Sequence, residues 1–414
     1  MRSRRYLFLQ GLTGPFFARL ADRLRRDGNA VYRINFNTGD FFSWAPRPAW
    51  SYRDSLEALP EYLADKLAVY GITDVVLVGD TRPLHQVALP VVKASGARVH
   101  VLEEGYFRPS WITLEQGGVN AHSNLPRDPD WYLEAACYVT ESGEQDPIPS
   151  PIKRLAYYEI CYRFPNLLDA LLYPKVPYHR PSAMREFYGW SRRFLKMPWY
   201  ERMAERQIEE LITNATPFYV LPLQVANDSQ MRAHSDYAGI PDLVRQVINS
   251  FLRHAPAETR LVVKNHPLDT GLVDYGGWIR RLARRLDLAD RIIYLEAGHM
   301  PTLLRHAKAV VTVNSTVGPS AMLHGRAVIA LGEAIYDMPG LTFQSGLDAF
   351  WSHGEPPDTK LYQAFRNTLI HTTQVHGGFY SQPGIDLGVQ SCAEIMQRDV
   401  LPLEALLRQT HGQH

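Results

Sequence analysis

Two short apolar strands in the second half of this chain each run into a cluster of hydrogen-bond donors. Leu261-Val262-Val263 leads into Lys264-Asn265-His266-Pro267, and Ala309-Val310-Val311-Thr312-Val313 leads into Asn314-Ser315-Thr316-Val317-Gly318. A lysine, a histidine and two hydroxyls on successive βα units suit one anion, a phosphate before any other, because cations and oriented donors offset its charge. Each residue alone has a plainer use, His266 as a loop cap and Ser315 as a helix cap. Their recurrence at two strand ends favours a nucleotide site at the carboxyl edge of a parallel sheet.

Three further segments carry candidate chemistry. In Val101-Leu102-Glu103-Glu104-Gly105-Tyr106-Phe107-Arg108-Pro109, two adjacent carboxylates at a strand end point in opposite directions. One of them can act as general acid or base toward a sugar hydroxyl, or both can sit on a solvated turn paired with Arg108. The segment Gln224-Val225-Ala226-Asn227-Asp228-Ser229-Gln230 is dense in short polar residues. There Asp228 fits an anionic nucleophile or a stabiliser of an oxocarbenium-like centre, and equally a helix N-cap. Glu296, closing Ile292-Ile293-Tyr294-Leu295, fits a ribose diol or another cap.

The elements that must position these residues follow from hydrophobic patterning. Strands are expected at Tyr6–Leu9, Val31–Phe36, Asp74–Val78 and Arg98–Leu102, with helices near Phe16–Arg26, Tyr52–Tyr70 and His85–Ala94 between them. The alternation resumes with strands at Phe218–Leu223, Leu261–Val263, Arg291–Leu295, Ala309–Val313 and Ala327–Leu331. That rhythm predicts the α/β class, with two Rossmann-like domains of doubly wound parallel sheet facing across a cleft and a helical insertion between them. Ten prolines between 126 and 198 mark the insertion. The expected division is 1–125, 126–212, 213–355 and a helical tail, 356–414, packing back on the first domain.

Composition bounds the rest. The 414 residues exceed one ordinary core, and 45% hydrophobic with 21% charged residues is globular. Net charge is +1, but residues 151–200 carry nine Lys/Arg against three acids, a local +6 interleaved with twelve aromatics. Such a surface suits anionic lipid headgroups, with Arg192, Arg193 and Lys196 as its cations; it also suits single strands of nucleic acid, or a locally packed helical insert. Cys137, Cys161 and Cys392 form no metal pair or disulfide framework, which makes a reducing cytoplasm the default. The apolar run after Arg2, Arg4 and Arg5 is too short for a signal segment, and no run is long enough to span a bilayer. No dinucleotide fingerprint, P-loop, HExxH or GxSxG occurs.

Taken in order, Leu9-Gln10-Gly11, Gly79-Asp80-Thr81-Arg82-Pro83-Leu84-His85, Glu103-Glu104-Gly105-Tyr106-Phe107-Arg108-Pro109 and Gly117-Gly118-Val119-Asn120-Ala121 resemble the KpsS-type capsule polysaccharide proteins. Gln224 with Asn227-Asp228-Ser229-Gln230, Lys264 with His266-Pro267, and Asn314-Ser315-Thr316 extend that resemblance over about residues 5–380. It implies a GT-B fold and retaining transfer of β-Kdo (3-deoxy-D-manno-oct-2-ulosonic acid) from CMP-Kdo. The implied acceptor is phosphatidylglycerol or its lyso form, an anionic phospholipid, so that transfer would begin the linker of a capsular polysaccharide. It also implies a cytoplasmic protein, peripheral on the inner membrane, that works without cofactor or divalent metal and without nucleic acid, alongside capsule assembly and export machinery.

Carried onto this sequence, the resemblance makes His266, Ser315 and Thr316 the ligands of the CMP phosphate, supported by Lys264. Asp228 becomes the nucleophile, and Glu104 or Glu103 the acid/base. Asn314, Gln224, Gln230 and Arg108 join the substrate-binding set, and Glu296 ranks last. Alternatives are another CMP-sugar transferase, sialyltransferase-like or chain-extending, and a non-catalytic assembly or export factor.

Overall fold

The computed structural model describes residues 3–141, 143, 145–149, 152–175, 183–224, 237 and 239–411. The strands are β1 (Arg5–Phe8), β2 (Ala30–Asn35), β3 (Trp50–Ser51), β4 (Asp74–Val78), β5 (Arg98–Glu104), β6 (Trp111–Gln116), β7 (Phe218–Pro222), β8 (Arg260–Lys264), β9 (Ile292–Leu295), β10 (Ala309–Thr312), β11 (Ala327–Ala330) and β12 (Gln374–His376). The chain forms two compact units. One comprises residues 1–126, 134–183 and 366–414, the other 127–133 and 184–365.

The first unit holds a seven-stranded sheet in the order β12-β6-β5-β4-β1-β2-β3. β3, β2, β1, β4 and β5 are parallel, and β6 and β12 pair antiparallel along one edge. The antiparallel edge departs from the purely parallel expectation. Only the short link 105–110 joins β5 to β6, and a link that short can make a hairpin but not a crossover. Every residue of β4 is buried, which explains its unbroken apolar sequence: both sheet faces are covered. On one face lies the helix Phe16–Arg26, which buries Phe16, Phe17, Leu20, Ala21 and Leu24, the helix Gln382–Met396 contributing Ile385, Cys392 and Met396 to the same core. Its basic residues Arg23, Arg25 and Arg26 occupy the last turn, where they complement the helix dipole. Helices Leu59–Val69 and Pro83–Ala94 cover the other face with Leu59, Leu63, Leu67, Leu84, Ala88 and Val92.

The second unit holds five parallel strands in the order β11-β10-β7-β8-β9. Its core joins Leu221, Val263 and Val311 to Phe251, Phe350 and Trp351. Among the described residues of 126–212 there is no strand; the longest element there is the helix Ala183–Thr213, which runs through Pro198. No helix of the described residues is long and apolar enough to cross a membrane.

Candidate functional site

In the second unit the chain proceeds from β7 to β8 and β9 on one side, then returns to lay β10 against the other side of β7. The gap between the carboxyl ends of β7 and β10 is therefore the topological switch point, the usual ligand crevice of an open α/β sheet. Gln224 follows β7 and Asn314 follows β10, and Gln224 Nε2 donates to Asn314 Oδ1 at 2.6 Å across that gap. β8 and β10 flank β7, so the Lys264–His266 end and the Ser315–Thr316 end stand two strand spacings apart, about 10 Å at the backbone. The sheet thus brings Gln224, Lys264, His266, Asn314, Ser315 and Thr316 to one rim.

Lys264 closes β8 and is only 3% exposed. Burial first, then nearby Arg193, pulls its pKa down to about 8 against the opposing pull of Glu296. His266 Nδ1 accepts the Leu268 N–H at 3.0 Å, which places the ring proton on Nε2. His266 N in turn donates to Asn265 Oδ1 at 2.8 Å, and Asn265 Nδ2 donates to Glu296 Oε2 at 2.8 Å. Glu296 closes off β9 and, through that bond, steadies the turn beside it.

Arg193 was expected on a cationic docking face, and the structure corrects this: the residue is buried. Its guanidinium donates to the carbonyls of Pro267 (3.2 Å), His266 (3.0 Å), Glu296 (3.3 Å) and Asp269, and lies 3.9 Å from Glu296 Oε2. One planar fork therefore pins the turn that carries His266. Arg192, one residue earlier, is exposed and donates to the Gly271 carbonyl at 2.9 Å. Arg193 was missed because its sequence neighbourhood is basic and aromatic, and a lone buried arginine leaves no periodic signal.

At β10, Ser315 Oγ accepts the Val317 N–H at 3.2 Å, a capping bond, while Thr316 makes no side-chain cap. Tyr336 OH donates to the Ser315 carbonyl at 2.7 Å, and a Cβ on Gly318 would lie 2.6 Å from the Tyr336 ring. Tyrosine and glycine together fix this turn.

The first unit repeats the plan. β1 leads to β2 on one side and β4 lies on the other, so Gln10 and Arg82 meet at its switch point. Arg82 Nη1 donates to the Gly11 carbonyl at 2.9 Å and reaches Gln10 Oε1 at 3.4 Å. Glu103 and Glu104 end β5 and diverge. Glu103 Oε2 leans toward Gly79, 3.5 Å from where a Cβ would stand, and that glycine has φ +64°. Glu104 lies near Tyr380, whose hydroxyl is raised above its ordinary pKa chiefly by burial, then by Glu104 and Glu159, with Arg108 and Arg82 opposing. Both carboxylates are half-buried and Arg108 is exposed. An Asp–His pair stands on the same rim: buried Asp80 Oδ2 accepts the Val119 N–H at 3.1 Å and lies 3.0 Å from His122 Nδ1. His122 directly follows Gly117-Gly118-Val119-Asn120-Ala121, so that motif was one residue short of it. Asp228 and Gln230 lie outside the described residues.

The chain is thus an α/β protein of two Rossmann-like sheets, each with a glutamine at its switch point and a polar carboxyl rim, the edge where open sheets of this kind bind ligands. Residues 73–380 match the family of capsule polysaccharide biosynthesis proteins, and the chain belongs to that family. It is 39% identical over 389 residues to the capsule polysaccharide modification protein LipB of Neisseria meningitidis serogroup B, covering 91% of each chain. It is 38% identical over 386 residues to the capsule polysaccharide export protein KpsS of Escherichia coli, covering 92% of this chain and 98% of that one. Among solved structures it is similar to KpsC of Thermosulfurimonas dismutans, a β Kdo 2,7 transferase, at 15% identity and a TM-score of 0.42 over 94% of this chain and all of that one.

Proposed function

We propose that this protein is a retaining β-Kdo transferase that moves Kdo from CMP-Kdo to phosphatidylglycerol or its lyso form, beginning the linker of a capsular polysaccharide. The reading assigns the donor nucleotide to the rim of the second unit. Lys264 and the Nε2–H of His266 offset the charge on the CMP phosphate as it leaves, and Ser315 and Thr316 hydrogen-bond its oxygens. Asn314, Gln224 and Gln230 complete the nucleotide set, with Glu296 nearest the ribose. Asp228 is the nucleophile, and a covalent Kdo adduct on its carboxylate would account for two inversions and net retention. Glu104 or Glu103 moves the proton of the acceptor hydroxyl, and Arg108 binds beside them. The protein works at the inner face of the inner membrane, where both the donor and the anionic lipid are accessible.

The observation that supports the reading is that Lys264, His266, Asn314 and Gln224 end three adjacent strands, β8, β10 and β7, on one rim in a member of a capsule biosynthesis family. Incubation with CMP-Kdo and phosphatidylglycerol, read by mass spectrometry of the lipid, should show addition of one Kdo, abolished in Asp228→Ala. Addition from CMP-sialic acid instead would make this a different CMP-sugar transferase. No transfer from either donor would leave an assembly or export factor.

A further inference from the structure

The segment Ile152–Tyr173 in the first unit inverts the usual arrangement of a surface helix. Its polar side chains point inward, against the helix Thr38–Trp44. Tyr162 OH accepts from Asn37 Nδ2 and donates to Asp40 Oδ1, both at 3.0 Å. Asn166 Oδ1 accepts the Gly39 N–H at 2.6 Å, and Asp169 Oδ1 accepts the Thr38 N–H at 2.8 Å. Thr13 Oγ1 donates to Glu159 Oε1 at 2.9 Å. Asn166 and Asp169 thereby satisfy backbone donors at the start of that helix, and Tyr162 and Glu159 pair with polar side chains beside it.

Six large apolar side chains are left outside. Tyr157 and Ile160 are each 60% exposed, Phe164 72% and Leu171 78%, with Leu167 and Leu168 about half exposed between them. Tyr157 and Ile160 share a face of the helix Ile152–Arg163, and Phe164, Leu167, Leu168 and Leu171 run on along the turn and the short helices Pro165–Leu168 and Asp169–Leu172 that follow it. Phe41 and Phe42, on the helix packed against this segment, are about half exposed as well. So many large apolar groups on one face of a folded unit mark an interaction surface.

Charge selects the partner. Between 152 and 175 the exposed charged side chains are all cations: Lys153 and Arg154 at one end of the segment, and Lys175, paired with Asp54, at the other. Both acids of the segment face inward, with Glu159 also holding Arg163 at 2.7 Å. An apolar surface flanked by lysine and arginine fits a segment lying in the interface of an anionic bilayer.

We infer that this face docks on an anionic phospholipid bilayer and buries Ile160, Phe164, Leu168 and Leu171 at the headgroup–acyl boundary. The inference deepens the reading above and rests on it only for the purpose of docking. The binding itself requires no transfer.

Flotation of the full chain tests it, using vesicles of phosphatidylserine and phosphatidylcholine, which are anionic but lack the proposed acceptor. Wild type should float with these vesicles and bind pure phosphatidylcholine at least tenfold less. Phe164→Glu/Leu171→Glu should cut the bound fraction at least tenfold with an unchanged thermal midpoint, and Leu167→Ser/Leu171→Ser should act in the same direction with a smaller change of charge. Lys153→Glu/Arg154→Glu should weaken binding most at low salt. Unchanged flotation of both apolar variants would overturn the inference. So would a wild type that ignores anionic vesicles while the apolar variants dissociate a dimer or a protein complex. Loss of vesicle binding in a protein whose wild type transfers no sugar would sink the transferase reading and leave the docking face standing.

Discussion

Gln224 Nε2 donates to Asn314 Oδ1 at 2.6 Å, joining the ends of β7 and β10 where the sheet of the second unit changes direction. The bond uses one atom of each amide. Gln224 Oε1 and Asn314 Nδ2 are left buried without a partner among the described residues. An unmade buried hydrogen bond costs about 1–3 kcal/mol, so a ligand that supplies both an acceptor and a donor recovers that cost. A cytosine edge offers such a pair.

Asn314→Ala and Gln224→Ala should therefore each weaken cytidine monophosphate binding by about tenfold or more, the free-energy range just given. Isothermal titration calorimetry with the free nucleotide measures this. Affinity unchanged in both variants would make the pair a strand-end clasp and nothing more.

Lys264 sets a pH dependence. Its folded pKa is lowered to about 8 by burial, whereas an unfolded lysine keeps its proton to about 10.4. Between those values the unfolded chain holds more protons, so this residue makes stability rise with pH through that window. Below pH 8 the buried ammonium is a cost that a bound phosphate offsets. Nucleotide affinity should fall as pH rises through about 8, and Lys264→Met should bind weakly at every pH without a lower thermal midpoint. Titrations between pH 6.5 and 9, with melting curves on both proteins, check the two halves separately.

The elements legible from the sequence were those whose burial writes a pattern. β4 is apolar throughout because both its faces are covered, and the helix Phe16–Arg26 repeats its apolar residues at helical spacing. β3 and β12 were not seen: two and three residues long, they are too short to carry a period. β6 alternates within Trp111-Ile112-Thr113-Leu114-Glu115-Gln116, but it buries Thr113 and Glu115 as well as its apolar residues, so alternation did not mean inside and outside. On the carboxyl rims of the two units, strand ends marked Glu103 in the first and Lys264, His266 and Asn314 in the second. Arg193 and His122 were silent because what makes them matter, four carbonyls and a buried aspartate, comes from distant sequence.

Arg193 offers a sharper test of how the second rim is held. Lysine keeps the charge but cannot reach four carbonyls from one planar group. Arg193→Lys should lose about 2–4 kcal/mol of stability, because buried carbonyls and a buried cation go unpaired together. Urea denaturation measures that loss. The nucleotide dissociation constant should rise in parallel, since the turn bearing His266 is what the guanidinium fixes. A stability loss with unaltered nucleotide binding would detach His266 from the site.

Glu115 on β6 gives the opposite sign of pH dependence to Lys264, in the first unit. It is buried, and burial raises its pKa to about 7 against the hydrogen bonds it accepts from Ser123 and Tyr106. Tyr106 OH also accepts the Asn120 N–H at 2.9 Å, so this carboxyl anchors the turn that presents His122 to buried Asp80. A carboxyl whose folded pKa exceeds its unfolded value of about 4.3 keeps its proton longer when folded. Its contribution to stability is complete below pH 4 and is lost as pH rises to 7. Glu115→Gln removes the charge and retains an acceptor for Tyr106. Its stability relative to wild type should therefore climb from about pH 4.3 to about pH 7 and level off above that, by roughly 1 kcal/mol or more for each pH unit in which folded wild type holds one more proton than unfolded wild type. Thermal melts of both proteins across that range decide it. Parallel curves would mean that Glu115 is ionised throughout and that its two hydroxyl donors, rather than its burial, govern its charge.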